Sequence, residues 1–227
     1  MASRPLHFIW IADCSGSMEY DGKIQALNNA IREAVPHMRE VAEENPHAQI
    51  LVRAVEFSDG ARWHISQATP IVDFEWVNLS ADGVTDMGQA LSLVTDQLKI
   101  PPMTQRALPP VLVLISDGHP TDDFNAGLQT LMAEPWGKKS VRIAIAIGED
   151  ADQDVLQKFI GHPEIKPLKA NNSEALKNRI KWTSTVVLQA ASSPATQTGN
   201  ILTHSGHVAI PMIEDSDDDE ISAQDIW

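Results

Sequence analysis

Three short, strongly apolar runs, separated by helix-length segments, constrain this chain more than any other feature. They are residues 6–12 (LHFIWIA), 111–115 (VLVLI) and 141–147 (VRIAIAI). Apolar runs of five to seven residues, bounded by turn signals, read as strands buried on both faces. Between them, apolar residues recur every three or four positions. Ile24, Leu27, Ile31, Val35, Met38 and Val41 form one such stripe within residues 23–44, the pattern of an amphipathic helix. Asn45-Pro46 ends it. Pro36, inside the stripe, is expected to kink the helix or split it in two.

The remaining segments continue the alternation. Residues 50–57 and 61–65 read as a hairpin across Ser58-Asp59-Gly60. Residues 86–99 carry Met87, Ala90, Leu91, Val94 and Leu98 at helical spacing, and Pro101-Pro102 follows. A helix is predicted over 122–132 with Thr121 as its N-cap, and another over 152–160, ended by Gly161. Residues 165–168 read as a last strand and 173–191 as a last helix. Residues 66–80 resist assignment, although Phe74, Trp76 and Val77 suggest a short buried piece. The predicted fold is α/β: a doubly wound, mostly parallel sheet with one antiparallel edge strand.

Composition narrows the class. The chain has 227 residues and a formal net charge of −14. Positions 1–210 hold 24 acidic and 17 basic residues, and positions 211–227 hold seven acidic and none basic. Half of the excess charge therefore lies in the last 17 residues. Residues 1–191 read as one domain, 192–210 as a linker rich in Ser, Thr, Gly and Pro, and 211–227 as an acidic tail. Such a balance repels phosphate backbones and argues against nucleic-acid binding. No apolar run is long enough to span a bilayer, and residues 1–12 do not read as a signal peptide. A cytoplasmic location is the resulting expectation. Cys14 is the only cysteine, so neither an internal disulfide nor a cysteine zinc cluster is available.

The chemistry concentrates in three oxygen-rich loops. Asp13-Cys14-Ser15-Gly16-Ser17 follows the first strand. Asp82-Gly83-Val84-Thr85-Asp86 precedes a helix. Ser116-Asp117-Gly118-His119-Pro120 follows the central strand. In doubly wound sheets, ligands bind beyond the carboxyl ends of the strands, where the topology switches. Converging there, the loops supply Asp13, Ser15, Ser17, Thr85 and Asp117: two carboxylates and three hydroxyls. Hard oxygen donors of this kind suit a hard divalent cation, Mg2+ first and Mn2+ or Ca2+ as alternatives. His119 is a candidate for the rim of that site. Asp86 reads as an acid of a helix first turn, and Cys14 as inward packing.

These segments resemble the metal-ion-dependent adhesion site of von Willebrand factor A domains. The likeness rests on Asp-x-Ser-x-Ser, on Gly83, Thr85 and Gly88, and on Asp117-Gly118 after an apolar strand, and it covers residues 5–190. It implies that Ser15, Ser17 and Thr85 touch or approach the metal, while Asp13 and Asp117 act directly or through water. It implies an open coordination position for a partner's carboxylate. The Asp-Cys-Ser-Gly-Ser-Met opening, Ser116–Asp122 and the helix over 173–182 are similar to the TerY-type proteins of bacterial tellurite-resistance and stress operons. That likeness implies a protein kinase and a PP2C-type phosphatase as partners. Val84, where many members carry a second glycine, and the acidic tail depart from the pattern.

The resulting expectation is a non-catalytic, metal-dependent protein-interaction module. An alternative is an adaptor that binds through its acidic tail, with Ile221, Ile226 and Trp227 as apolar anchors. A Mg2+-dependent phosphohydrolase with Asp13 as nucleophile is disfavoured. Ser15 stands where such enzymes usually carry a second, acid/base aspartate. Gly-x-Ser-x-Gly, Gly-x-Gly-x-x-Gly and P-loop patterns are absent.

Overall fold

The computed structural model describes residues 3–192, 204–205 and 208–209. Six strands form one sheet: β1 (Arg4–Asp13), β2 (Ala48–Ser58), β3 (Gly60–Pro70), β4 (Val111–Ser116), β5 (Val141–Ile147) and β6 (Leu168–Ala170). Their order is β3-β2-β1-β4-β5-β6. All neighbours are parallel except β2 and β3. The predicted architecture, including its single antiparallel edge, is therefore present. Chain order runs outward in opposite directions from β1 and β4, so the topological switch lies between them.

Burial follows from the sequence pattern. Every residue of β4 and β5 is buried, as near-continuous apolar runs require when helices cover both faces. Helices α1 (Lys23–Glu44), α2 (Met87–Leu98), α3 (Phe124–Ala133), α4 (Pro135–Lys139), α5 (Gln153–Ile160) and α6 (Ser173–Trp182) surround the sheet. Helix α1 packs on α6, and α2 on α3. A π-helical turn, Thr183–Val187, carries α6 into α7 (Leu188–Ser192). A two-stranded antiparallel ladder, His204–Ser205 with Val208–Ala209, lies in the stretch read as a linker.

Several local expectations need correction. Pro36 does not split α1, which runs unbroken over 22 residues. Pro36 and Arg32 are both on the exposed side, so water can satisfy the Arg32 carbonyl that loses its helical donor. Strand β3 extends to Pro70, past register shifts in its pairing with β2 around Ala54. Asp123, not Thr121, caps α3, accepting from the Ala126 amide at 2.9 Å. The last strand lies at Leu168–Ala170 rather than 165–168. Helix α4, only five residues long with proline at its start, had no periodic signal to announce it.

The unassigned stretch after β3 matters because it delivers Thr85. Phe74 and Trp76 are buried as expected, but Val77 is exposed. A buried polar residue on the apolar stripe of α1 organises this segment. The Asn28 side-chain carbonyl accepts from Trp76 Nε1 at 3.0 Å and from the Leu79 amide at 2.8 Å. Its Nδ2 donates to the Leu79 carbonyl at 3.0 Å. Three bonds from one buried side chain fix an irregular segment whose backbone groups would otherwise lack partners.

Candidate metal centre

The register of β1 against β4 pairs Ala12 with Ile115. The next residues, Asp13 and Ser116, therefore sit side by side where the two strands end. Ser116 Oγ donates to Asp13 Oδ2 at 2.5 Å, and the Ser15 amide donates to Asp13 Oδ1 at 2.8 Å. Asp13 is fully buried, and burial pushes its carboxyl up to about 6; the bonds from Ser116 and Ser15 oppose that rise, and the Asp117 charge adds slightly to it.

A relay of hydroxyls leads from Ser15 to the second carboxylate. Ser17 Oγ donates to Asp117 Oδ1 at 2.7 Å. The Ser15 and Ser17 hydroxyl oxygens are 3.0 Å apart. Because the Ser17 proton is committed to Asp117, Ser15 is the donor in that pair. Both hydroxyl oxygens keep lone pairs. The other oxygen of Asp117, Oδ2, receives the Lys23 ammonium at 2.8 Å.

Thr85 arrives from a third direction. A methyl placed on Gly118 would stand 3.7 Å from Thr85 Oγ1 and 3.9 Å from Ser17 Oγ, so the two hydroxyls border the same small space. Backbone bonds between loops hold this arrangement. The Asp82 amide donates to the Cys14 carbonyl at 2.8 Å, that of Gly16 to Gly83 at 3.0 Å, and that of Thr121 to Thr85 at 2.9 Å. Gly83 adopts φ +80°, and a Cβ there would meet Asp59 Oδ1 at 2.7 Å. That carboxylate oxygen also accepts from the Val84 amide at 3.0 Å. Only glycine combines the left-handed backbone with this close approach.

All five predicted residues thus gather at the switch point, four of them nine-tenths or more buried. His119 stands apart: its side chain is largely exposed and its Nδ1 lies 2.8 Å from Asp152 Oδ2. Ile221, Ile226 and Trp227 lie outside the described residues. Cys14 is buried as expected, and burial, followed by the charges of Glu56 and Asp13, raises its thiol so that it stays protonated.

Sequence reasoning missed three contributors. Ser116 was legible only once the β1–β4 register was known. Thr121 accepts from the Thr85 amide at 3.0 Å and donates to Asp86 Oδ1 at 2.9 Å, tying two loops together rather than starting a helix. Lys23 reads in sequence only as the first residue of the helix over 23–44, with nothing to link it to Asp117.

Among the described residues, no three His, Cys, Asp or Glu side chains converge on one point. A cation bound here would therefore rest on hydroxyls with few carboxylates, which is the donor set of a hard ion. No helix of the described residues is long and apolar enough to cross a membrane.

Fold and site together define a doubly wound α/β domain that gathers hydroxyls and carboxylates at its topological switch. The von Willebrand factor type A domain model matches residues 9–182, and the chain belongs to that family. Domains of this family often bind other proteins through a metal ion held at an adhesion site. A von Willebrand factor type A protein from Catenulispora acidiphila superposes with a TM-score of 0.60 at 19% identity, covering 82% of this chain and 43% of that one. Proximal thread matrix protein 1 of the mussel byssus, solved with a zinc-occupied adhesion motif, gives 0.62 at 19%, covering 82% and 48%. The pilus adhesin SpaC of Lactobacillus rhamnosus GG gives 0.60 at 13%, covering 83% and 30%. At these identities the likeness establishes the fold, and this chain spans less than half of each of those chains. No curated protein sequence matches it.

Proposed function

We propose that Asp13, Ser15, Ser17, Thr85 and Asp117 hold a divalent cation through which the domain grips an acidic side chain of a partner protein. The supporting observation is the unbroken chain of contacts from Ser15 through Ser17 to Asp117, with Asp13 and Thr85 closing the sides. The Ser15 and Ser17 oxygens, 3.0 Å apart, would present hydroxyl lone pairs beside two carboxylates, a donor set that suits a hard divalent ion, Mg2+ first and Mn2+ or Ca2+ as alternatives. The zinc-occupied motif of the mussel protein supports a divalent ion at the equivalent place.

Bound there, a divalent cation supplies an electrophilic point that a carboxylate from outside completes. The chain's own residues prepare for it. Ser17 and Ser15 turn lone pairs inward while their protons are passed toward Asp117. Asp13 is pinned by two donors and cannot swing.

At a finer level, we assign the domain to a TerY-type stress or tellurite-resistance system of the bacterial cytoplasm, beside a protein kinase and a PP2C-type phosphatase. That assignment rests on the Asp13–Met18 and Ser116–Asp122 segments. The domain unit is residues 1–191, followed by linker and acidic tail. Titration calorimetry with Mg2+ and Mn2+ tests the central reading. The wild type should bind one ion, and Ser15→Ala and Asp117→Ala should lose that binding while remaining folded. Equal binding in wild type and variants overturns it. Pull-downs with and without chelator then test partner capture.

A further inference from the structure

Lys23 sits at the base of the site without having been chosen by helix chemistry. It is the first residue of α1, where the helix dipole favours acids and disfavours a cation. It is preceded by Asp21 and Gly22, both at positive φ, 54° and 73°, a left-handed turn of the residue types that adopt it most readily. That turn brings the Lys23 ammonium to Asp117. The pair is largely shielded from water, with side-chain exposures of 12% and 0%.

The two oxygens of Asp117 face different groups. Oδ1 takes the Ser17 hydroxyl at 2.7 Å, and Oδ2 takes Lys23 Nζ at 2.8 Å. Oδ1 is the oxygen joined to the hydroxyl cradle, through Ser17; a cation taken on that side would leave Lys23 in place on Oδ2. Two carboxylates alone balance a divalent cation. Two carboxylates with a retained ammonium leave one unit of positive charge on the loaded site.

We infer that Lys23 is a built-in charge that weakens cation binding and leaves the loaded site positive, so that it captures an anionic ligand. Lys23 is a positioning residue: it acts through Asp117 and through its field. This inference rests on the metal-dependent reading above and adds what sets its preference for acidic partners. A neutral side chain at position 23 removes like-charge repulsion of the ion and, with it, the attraction for the incoming carboxylate.

The test uses the full chain and two readouts. Mn2+ affinity is measured by electron paramagnetic resonance of the free ion. Acetate binding to the Mn2+-loaded protein is measured by water-proton relaxation, with uncharged acetamide as control. Lys23→Met should bind Mn2+ on the order of tenfold more tightly and acetate on the order of tenfold more weakly. Lys23→Gln, which keeps a donor toward Asp117 without the charge, should do the same, and it serves if the methionine variant does not fold. Lys23→Arg should match the wild type. If wild type binds Mn2+ but the neutral variants bind it no more tightly, Lys23 is only an anchor for Asp117 and the inference is overturned. If wild type binds no Mn2+, the metal-dependent reading falls first and takes this one with it.

Discussion

Asp117 and Asp122 are five residues apart, and both are carboxylates in the same loop, yet the structure uses them in opposite ways. Asp122 spends Oδ1 on the Gly88 amide and Oδ2 on the Gln89 amide, each at 2.8 Å. It thereby caps the start of α2 from another part of the chain. Asp117 spends its oxygens on a hydroxyl and an ammonium. Backbone amides are fixed by the helix they belong to, whereas a hydroxyl rotates and a lysine side chain is mobile. A carboxylate held by amides is part of the scaffold; one held by side chains can share its oxygens with a ligand. Asp86 stands between the two: its Oδ2 accepts the Gly60 backbone amide and the Gln89 side-chain amide, each at 2.8 Å, and its Oδ1 accepts the Thr121 hydroxyl at 2.9 Å.

The widest separation of the two kinds of acid is expected with pH. Asp13, on the site side, is raised to about 6 from an ordinary 3.8, chiefly by burial. The folded chain therefore holds a proton that the unfolded chain has released between those values. Its contribution favours folding at low pH and is lost as pH rises from about 4 to about 6, a cost of about 3 kcal/mol at pH 7 without metal. Comparing urea midpoints of wild type and Asp13→Asn from pH 4 to 7 isolates it. A flat difference between the two would remove Asp13 from the site class. Metal affinity should also fall about tenfold for each pH unit below 6, since the proton must leave first.

Next in size is the exchange of phenotypes between the two loop acids. Asp117→Asn, which keeps polar atoms beside Lys23 and Ser17, should weaken Mn2+ binding about 100-fold, with a smaller change in unfolding free energy. Asp122→Ala should do the reverse. Two amides of α2 lose their partner, so stability should fall by about 2 kcal/mol, while Mn2+ affinity changes by less than tenfold. Calorimetry and denaturation on the same samples decide, and similar profiles for both variants would dissolve the distinction. The smallest effect belongs to His119. Its exposed pair with Asp152 is worth less than about 0.5 kcal/mol, and His119→Ala should leave both stability and Mn2+ affinity near wild type.

The central strands were legible because a buried parallel strand is largely apolar on both faces, and 111–115 and, apart from Arg142, 141–147 are apolar over the length of a strand rather than of a buried helix. Asp13, Ser15, Ser17, Thr85 and Asp117 were legible as candidates because their loops border strand or helix ends. Thr121 was misread because a threonine before an acidic, helix-forming stretch looks like a cap; its hydroxyl was claimed instead by Thr85 and Asp86, about 35 positions away in sequence. Gly88 and Gly127 show the same limit. A Cβ on Gly127 would stand 2.4 Å from the Gly88 carbonyl oxygen, so α2 and α3 touch backbone to backbone. One sequence carries no sign that these two glycines face each other.

The amino-acid sequence by itself determined the alternation of strands and helices, the doubly wound class and the positions of the oxygen-rich loops. These follow from side-chain periodicity and strand burial, which are local properties. Only the tertiary structure decided which oxygens remain open to a ligand. The β1–β4 register put Ser116 on Asp13, the turn at Asp21 and Gly22 put Lys23 on Asp117, and Asn28 delivered Thr85. Each depends on donors and acceptors distant in the chain finding one another, and a hydrogen bond is specified by where its partner lies, not by the residue that seeks it.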